Sequence, residues 1–176
     1  VSALSSTAEL RGNSYASLLN RGTILSSNSY LGVIRNLNLT NDVSGIIRRV
    51  GLAQSSVSNS GKIIDSSIFA TSISQTSFGE IQAENNGSWI RGNSSISGGI
   101  LNARSLNISI GDSSVTNAQL KGNVVGFVNG SISDVTSLAN QLIVSFNSSQ
   151  GIGTTVASDT ISFDRMDISH MAGQGT

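Results

Sequence analysis

One tetrapeptide keeps returning along this chain, and a chain that repeats itself has few folds open to it. Asp65-Ser66-Ser67-Ile68, Asn93-Ser94-Ser95-Ile96, Asp112-Ser113-Ser114-Val115 and Asn129-Gly130-Ser131-Ile132 are the clearest copies, and Gln54-Ser55-Ser56-Val57 is a looser one. With one gap, the best pair extends backwards: Ile90-Arg91-Gly92-Asn93-Ser94-Ser95-Ile96 aligns with Ile110-Gly111-Asp112-Ser113-Ser114-Val115. The last three copies follow one another at about 17 to 20 residues, the length of one coil of a parallel β-helix.

Periodicity agrees. No apolar stripe of helical spacing runs beyond two turns, whereas runs such as Leu106-Asn107-Ile108-Ser109-Ile110, Val124-Val125-Gly126-Phe127-Val128 and Ile161-Ser162-Phe163 fit strands of about three to five residues. Between them lie Gly-Asn, Asn-Gly and Gly-Gly pairs, which supply the backbone angles that corners need. Stacked coils would place Ile, Val and Leu in inward ladders and Ser, Asn, Thr and Gly on the outside and at the corners. The absence of proline fits the same picture, since a ring nitrogen would delete a ladder hydrogen bond. We therefore expect one all-β domain over residues 1–176, a parallel β-helix (β-solenoid) of irregular short coils with less regular ends. An antiparallel β-sandwich is the alternative, but it does not require a recurring tetrapeptide. The best helix candidate is Asp134 to Leu142, where Leu138 and Leu142 lie one turn apart.

Composition narrows the function. Ten basic and ten acidic residues cancel, so no global field favours nucleic acid. Without cysteine there is no disulfide, thiolate metal site or Cys nucleophile. The apolar runs are far shorter than the roughly 20 residues a membrane helix needs. Starting without Met and without a signal-type leader, the chain is expected to be a processed or trimmed product.

Catalytic chemistry is scarce. His170 is the lone histidine, and no Gly-x-Ser-x-Gly elbow accompanies it. Asp159, Asp164 and Asp167 lack the spacing of calcium-binding β-rolls, and the acids of the repeat region are scattered singly. We expect no enzyme, and neither a cofactor nor a metal.

Binding residues are more plausible. Arg48-Arg49 is the adjacent basic pair, a candidate contact for an acidic partner, with a solvated strand face as the plainer account. Trp89 follows Asn85-Asn86-Gly87 and is a candidate stacking platform for a sugar or a neighbouring subunit, or else a cap on the core. Candidate N-glycosylation acceptors are Asn38, Asn86, Asn93, Asn129 and Asn147; Asn107 also matches but sits inside an expected strand. An ice-binding solenoid would show a regular Thr-x-Thr ladder, and none is legible.

The segment Ile90 to Val135, with Gly-Asn-Val-Val-Gly-Phe-Val-Asn-Gly-Ser-Ile at Gly122 to Ile132, resembles the β-helical repeats of bacterial surface and filament proteins, including bactofilins. The resemblance covers about a quarter of the chain and implies polymerisation without nucleotide. A solenoid also exposes open strand edges at its end coils unless something blocks them. The expectation is thus a structural protein whose subunits pair edge strands into a filament or surface array, its partner being itself. An adhesin or carbohydrate-binding β module, with glycans as partners, is the alternative. Low Lys and high Ser/Asn content incline the chain towards an extracellular or cell-surface location.

Overall fold

The structure, a computed structural model, describes residues 9–13, 15–26, 32–69, 71–85, 87–91, 94–104, 106, 108–111, 113–128, 131–133, 135–145, 150–156, 160–164 and 167–173. Among them there is no helix, and every strand pairing is parallel within one sheet that winds on itself. Strands β1 to β3 are Glu9–Arg11, Ser17–Asn20 and Thr23–Leu25; β4 to β6 are Gly32–Arg35, Asn38–Asn41 and Ile46–Arg48. Strands β7 to β9 are Val50–Ala53, Ser56–Asn59 and Lys62–Ile64; β10 to β12 are Ser67–Phe69, Ser72–Gln75 and Glu80–Gln82. Next come β13 to β15 (Ser88–Arg91, Ser95–Ser97, Ile100–Ala103) and β16 to β18 (Ile108–Gly111, Ser114–Thr116, Gln119–Val128). The last five, β19 to β23, are Ser131–Ser133, Thr136–Ser145, Gln150–Val156, Thr160–Asp164 and Asp167–Gly173.

Up to β18 each strand pairs with the strand three places further on, which makes a three-sided β-solenoid. The first face is β1, β4, β7, β10, β13 and β16. The second is β2, β5, β8, β11, β14 and β17, and the third is β3, β6, β9, β12, β15 and the start of β18. Residues 32–122 complete about five turns in this way. Beyond them β18 and β20 each run through two faces, and the parallel pairing continues to β23.

The core follows from strand alternation. Ile34, Leu52, Ile68, Ile90 and Ile110 stack inward on the first face. Leu39, Val57, Ile73, Ile96 and Val115 do so on the second, and Ile24, Ile47, Ile63, Ile81, Leu101 and Leu120 on the third. All are fully or almost fully buried. Each is worth roughly 1.5–3 kcal/mol of apolar transfer, and the branched majority suits a pleated surface. The expected alignment of Ile90 with Ile110, and of Ser95-Ile96 with Ser114-Val115, is the register observed, gap included.

Three corners close each coil, and side chains stacked along the axis fill them. Between the first and second faces run the buried hydroxyls of Ser55, Thr71, Ser94 and Ser113. Ser55, Thr71 and Ser113 each donate to the carbonyl two residues back, and Ser94 to the one three back. Between the third and first faces Ser66 and Ser88 do the same work: Ser66 Oγ donates to Ile64 O and accepts from Val50 N, while Ser88 Oγ donates to Gln82 O and accepts from Ser66 N. Between the second and third faces an amide ladder runs from Asn20 through Asn41 and Asn59 to Gln75, each Nδ2 donating to the next side-chain oxygen at 2.7–2.8 Å. Gln75, one methylene longer, ends it by donating to Gly98 O. A second column, Gly45, Gly61, Gly79 and Gly99, lies beside the ladder. At Gly61 an added Cβ would stand 2.2 Å from Gly45 O and 2.4 Å from Asp42 O.

Two expectations are corrected. The copy at Asp65 belongs to a different corner from the rest: the strand residues that end the other copies, Ser56-Val57, Ser95-Ile96, Ser114-Val115 and Ser131-Ile132, lie in β8, β14, β17 and β19 on the second face, whereas Asp65 leads into β10 on the first. Both corners pose one problem, a left-handed turn residue (φ 50° at Gln54, 49° at Asp65) followed by a hydroxyl that turns back on a carbonyl. One tetrapeptide solves it twice. The expected helix at Asp134 to Leu142 is instead strand β20 from Thr136 onward; Leu138 pairs with Lys121 and Leu142 with Val125, on two different faces. The edge of β18 offers this segment a continuous ladder, and that outweighs a two-residue helical spacing.

Candidate functional site

With the core filled, function falls to the residues that face outward. On the first face they form two columns: Val33, Gly51, Ser67, Trp89 and Ser109, and beside them Arg11, Arg35, Ala53, Phe69, Arg91 and Gly111. Trp89 therefore neither caps the core nor occupies a corner. It is half-buried in mid-face, its backbone paired between Ser67 and Ser109, while Ile90 takes the inward position. Phe69, 55% exposed, stands on the coil below and two residues along. The coils beneath carry the small residues Gly51, Ala53 and Ser67 on this face, and Phe69 shares its column with Arg11, Arg35 and Arg91. Flat rings next to guanidinium groups suit a planar or polyol ligand.

The second face is of another kind. Its outward columns read Ser17, Asn38, Ser56, Ser72, Ser95 and Ser114, then Leu19, Thr40, Ser58, Ser74, Ser97 and Thr116. No position of either column carries a charge. Ser and Thr make up about a quarter of the chain, so hydroxyl residues at all eight outward positions from β8 to β17 exceed what composition supplies. The ladder is Ser-x-Ser, not Thr-x-Thr. Its signal was present in the sequence as a Ser on each side of the buried Val57, Ile73 and Ile96.

The third face holds the basic pair. Arg48 Nη2 lies 2.9 Å from Glu84 Oε2, with side chains 29% and 19% exposed, and Arg104 approaches Glu84 from the far side at 3.5 Å. Ile64 and Gln82, outward on this face, are nonetheless buried, and Arg48 and Glu84 lie on coils to either side of Ile64. Arg48 thus has an acidic partner within its own chain. Arg49 takes the corner with φ 54°, half-buried, its Nε without a hydrogen bond. Asp65 is fully buried and accepts from Glu84 N at 2.7 Å and from Asn85 N at 3.1 Å, so it shapes the corner that carries Glu84. The two arginines, adjacent in sequence, do different jobs.

Of the glycosylation candidates, Asn38 is exposed at the start of β5; Asn86, Asn93, Asn107, Asn129 and Asn147 lie outside the described residues. Among the described residues no group of three or more His, Asp or Glu is placed to hold a metal ion, and no helix is long and apolar enough to cross a membrane. Comparison with protein families, curated proteins and solved structures finds no match for this chain. The resemblance of residues 90–135 to bactofilin repeats finds no support in these comparisons.

Proposed function

We propose that this chain is a structural subunit that lengthens by strand-edge pairing into an extracellular filament or surface array. One observation carries the reading: among the described residues β1, β2 and β3 each pair on one side only, and the edge they present has the register that every coil above them uses. Main-chain edges of this kind pair with any chain that offers a matching strand. The solenoid fold itself suggests a structural or repeat-type protein, and the scarcity of Lys suits an outer surface.

Sedimentation with negative-stain microscopy tests it, using full-length protein and versions lacking residues 1–25 or 160–176. Polymers that persist at 1 M salt, where the Debye length has fallen to about 3 Å, and that vanish in one truncation support strand pairing. A stable monomer at high concentration under all conditions rejects it.

A second reading, an adhesin or carbohydrate-binding module, is favoured by Trp89 and the exposed Phe69 standing on neighbouring coils of one face. Quenching or blue-shift of the single tryptophan's fluorescence on titration with glycans would support it, and a silent Trp89 with no binding would remove it.

A further inference from the structure

We infer that the corner between the first and second faces at β1, β4 and β7 is a binding site for an acidic saccharide, a uronic-acid unit of a polysaccharide. The inference rests on the carbohydrate-binding reading and is independent of assembly. Here the surface opens into a cleft of about 480 Å³, inside the about 300–1,000 Å³ range of small-molecule sites. Its polar lining is Arg11, Asn13, Asn36, Asn38, Gln54 and Ser56, with Leu37 the one apolar side chain. Most ligand pockets are chiefly apolar, so a cleft of this composition selects a ligand polar all round.

The contrast with the neighbouring corner is what points to a ligand. Asn20, Asn41, Asn59 and Gln75 spend their amides on one another. Among the described residues the side chains of Arg11, Asn36, Gln54 and Ser56 make no hydrogen bond or ion pair, although they converge on one cleft. Asn13 commits only its Oδ1, which accepts from Tyr15 N at 3.1 Å and Ala16 N at 2.9 Å, and keeps its Nδ2 as a donor. That turn also sets Tyr15, 91% exposed, two residues from the lining, where its ring can cover a sugar face. Gly12 keeps the chain drawn in: a Cβ there would stand 2.8 Å from Ala16 Cβ and 2.9 Å from Leu37 Cβ.

The chemistry selects among ligands. The lining carries a single formal charge, that of Arg11, which matches one carboxylate. Amides offer a donor and an acceptor together, the complement of a sugar hydroxyl, which is itself both. A bare sulfate offers acceptors only and would face the Asn36 and Gln54 oxygens without a proton to give them. A peptide would require apolar pockets beyond Leu37.

The test is a two-dimensional amide NMR titration of the full chain with trigalacturonate, its methyl ester and inorganic sulfate. Trigalacturonate should shift the amides of residues 11–16, 36–38 and 54–56. Arg11→Ala and the methyl ester should each weaken binding about tenfold, and Gln54→Ala about threefold, the worth of a charged and a neutral hydrogen bond. Lys62→Ala, exposed on the third face away from the cleft and from Trp89, should leave it unchanged. Shifts centred on Trp89 with a silent cleft would overturn this site while leaving the carbohydrate reading standing; no shift anywhere at millimolar ligand would overturn both. Equal binding of the ester or of sulfate would overturn the uronate assignment.

Discussion

Replacing Asn59 by alanine removes the middle rung of the amide ladder. Asn59 is fully buried; its Oδ1 accepts from Asn41 Nδ2 at 2.7 Å and its Nδ2 donates to Gln75 Oε1 at 2.8 Å. Alanine strands both neighbours, at about 1–3 kcal/mol for each buried group left without a partner. The two costs differ. Asn41 Nδ2 retains longer contacts to Gly45 O and Lys62 O, both at 3.3 Å, which puts its loss near the lower bound. Gln75 Oε1 has no second partner among the described residues, so its loss falls nearer the middle, about 2 kcal/mol. With about 1 kcal/mol for the packing of the deleted atoms, the expected cost is about 4 kcal/mol, or a fall in Tm of roughly 10 °C for a chain of this size.

Urea denaturation followed by circular dichroism gives the total, and native-state hydrogen exchange gives its location. Because each coil of a solenoid contacts only its neighbours, lost protection should concentrate in β5, β8 and β11. Ser58→Ala, one residue away and outward, should change stability by less than about 0.5 kcal/mol. A double-mutant cycle of Asn41→Ala with Asn59→Ala should show coupling above about 1 kcal/mol. The ladder argument fails if Asn59→Ala and Ser58→Ala are equally mild, or if the cycle is additive.

Gly61→Ala should destabilise the corner severely, since its Cβ would lie 2.2 Å from Gly45 O, whereas Gly22→Ala, with nothing within 4 Å, should be tolerated; thermal melts of the two compare them directly. Ile96→Asp should unfold the middle coils by several kcal/mol, because the carboxylate would sit in a fully buried apolar column between Ile73 and Val115. Ser95→Ala beside it should be mild, and equal sensitivity in denaturation would mean that the inside and outside of β14 are reversed. Glu84→Gln should cost about 1 kcal/mol at low salt and less at 1 M, the mark of a partly exposed ion pair with Arg48 and Arg104. A cost that does not change with salt would assign Glu84 a packing role instead.

Much of the fold was legible because inward positions leave a strong mark. On the second face each of the buried Leu39, Val57, Ile73, Ile96 and Val115 sits between polar neighbours, and at Ile90 to Val115 the tetrapeptide register survives a one-residue gap. The amide ladder left almost none, since Asn20, Asn41, Asn59 and Gln75 lie 21, 18 and 16 residues apart and look like ordinary loop asparagines until the coils stack them. The Asp65 copy misled for the opposite reason: two corners with the same backbone demand converged on one solution. At β20 a long paired edge overrode a local spacing. Arg48 and Arg49 could not be separated in sequence either, because Glu84 lies 36 residues away and is brought to Arg48 only by the stacking of intervening coils.

These assignments divide the molecule between structure and function more sharply than in a globular domain. The polar groups that turn inward are consumed along the axis, by hydroxyls on carbonyls at two corners and by amides on amides at the third. Each outward face is therefore free to vary without disturbing the stack, and the three have diverged: aromatics with arginines on the first, an uncharged hydroxyl lattice on the second, ion pairs across coils on the third. Selection for stability alone would not keep charge off every outward position of one face while gathering three arginines in one column of another. The difference between faces is thus the part of this chain that folding does not explain.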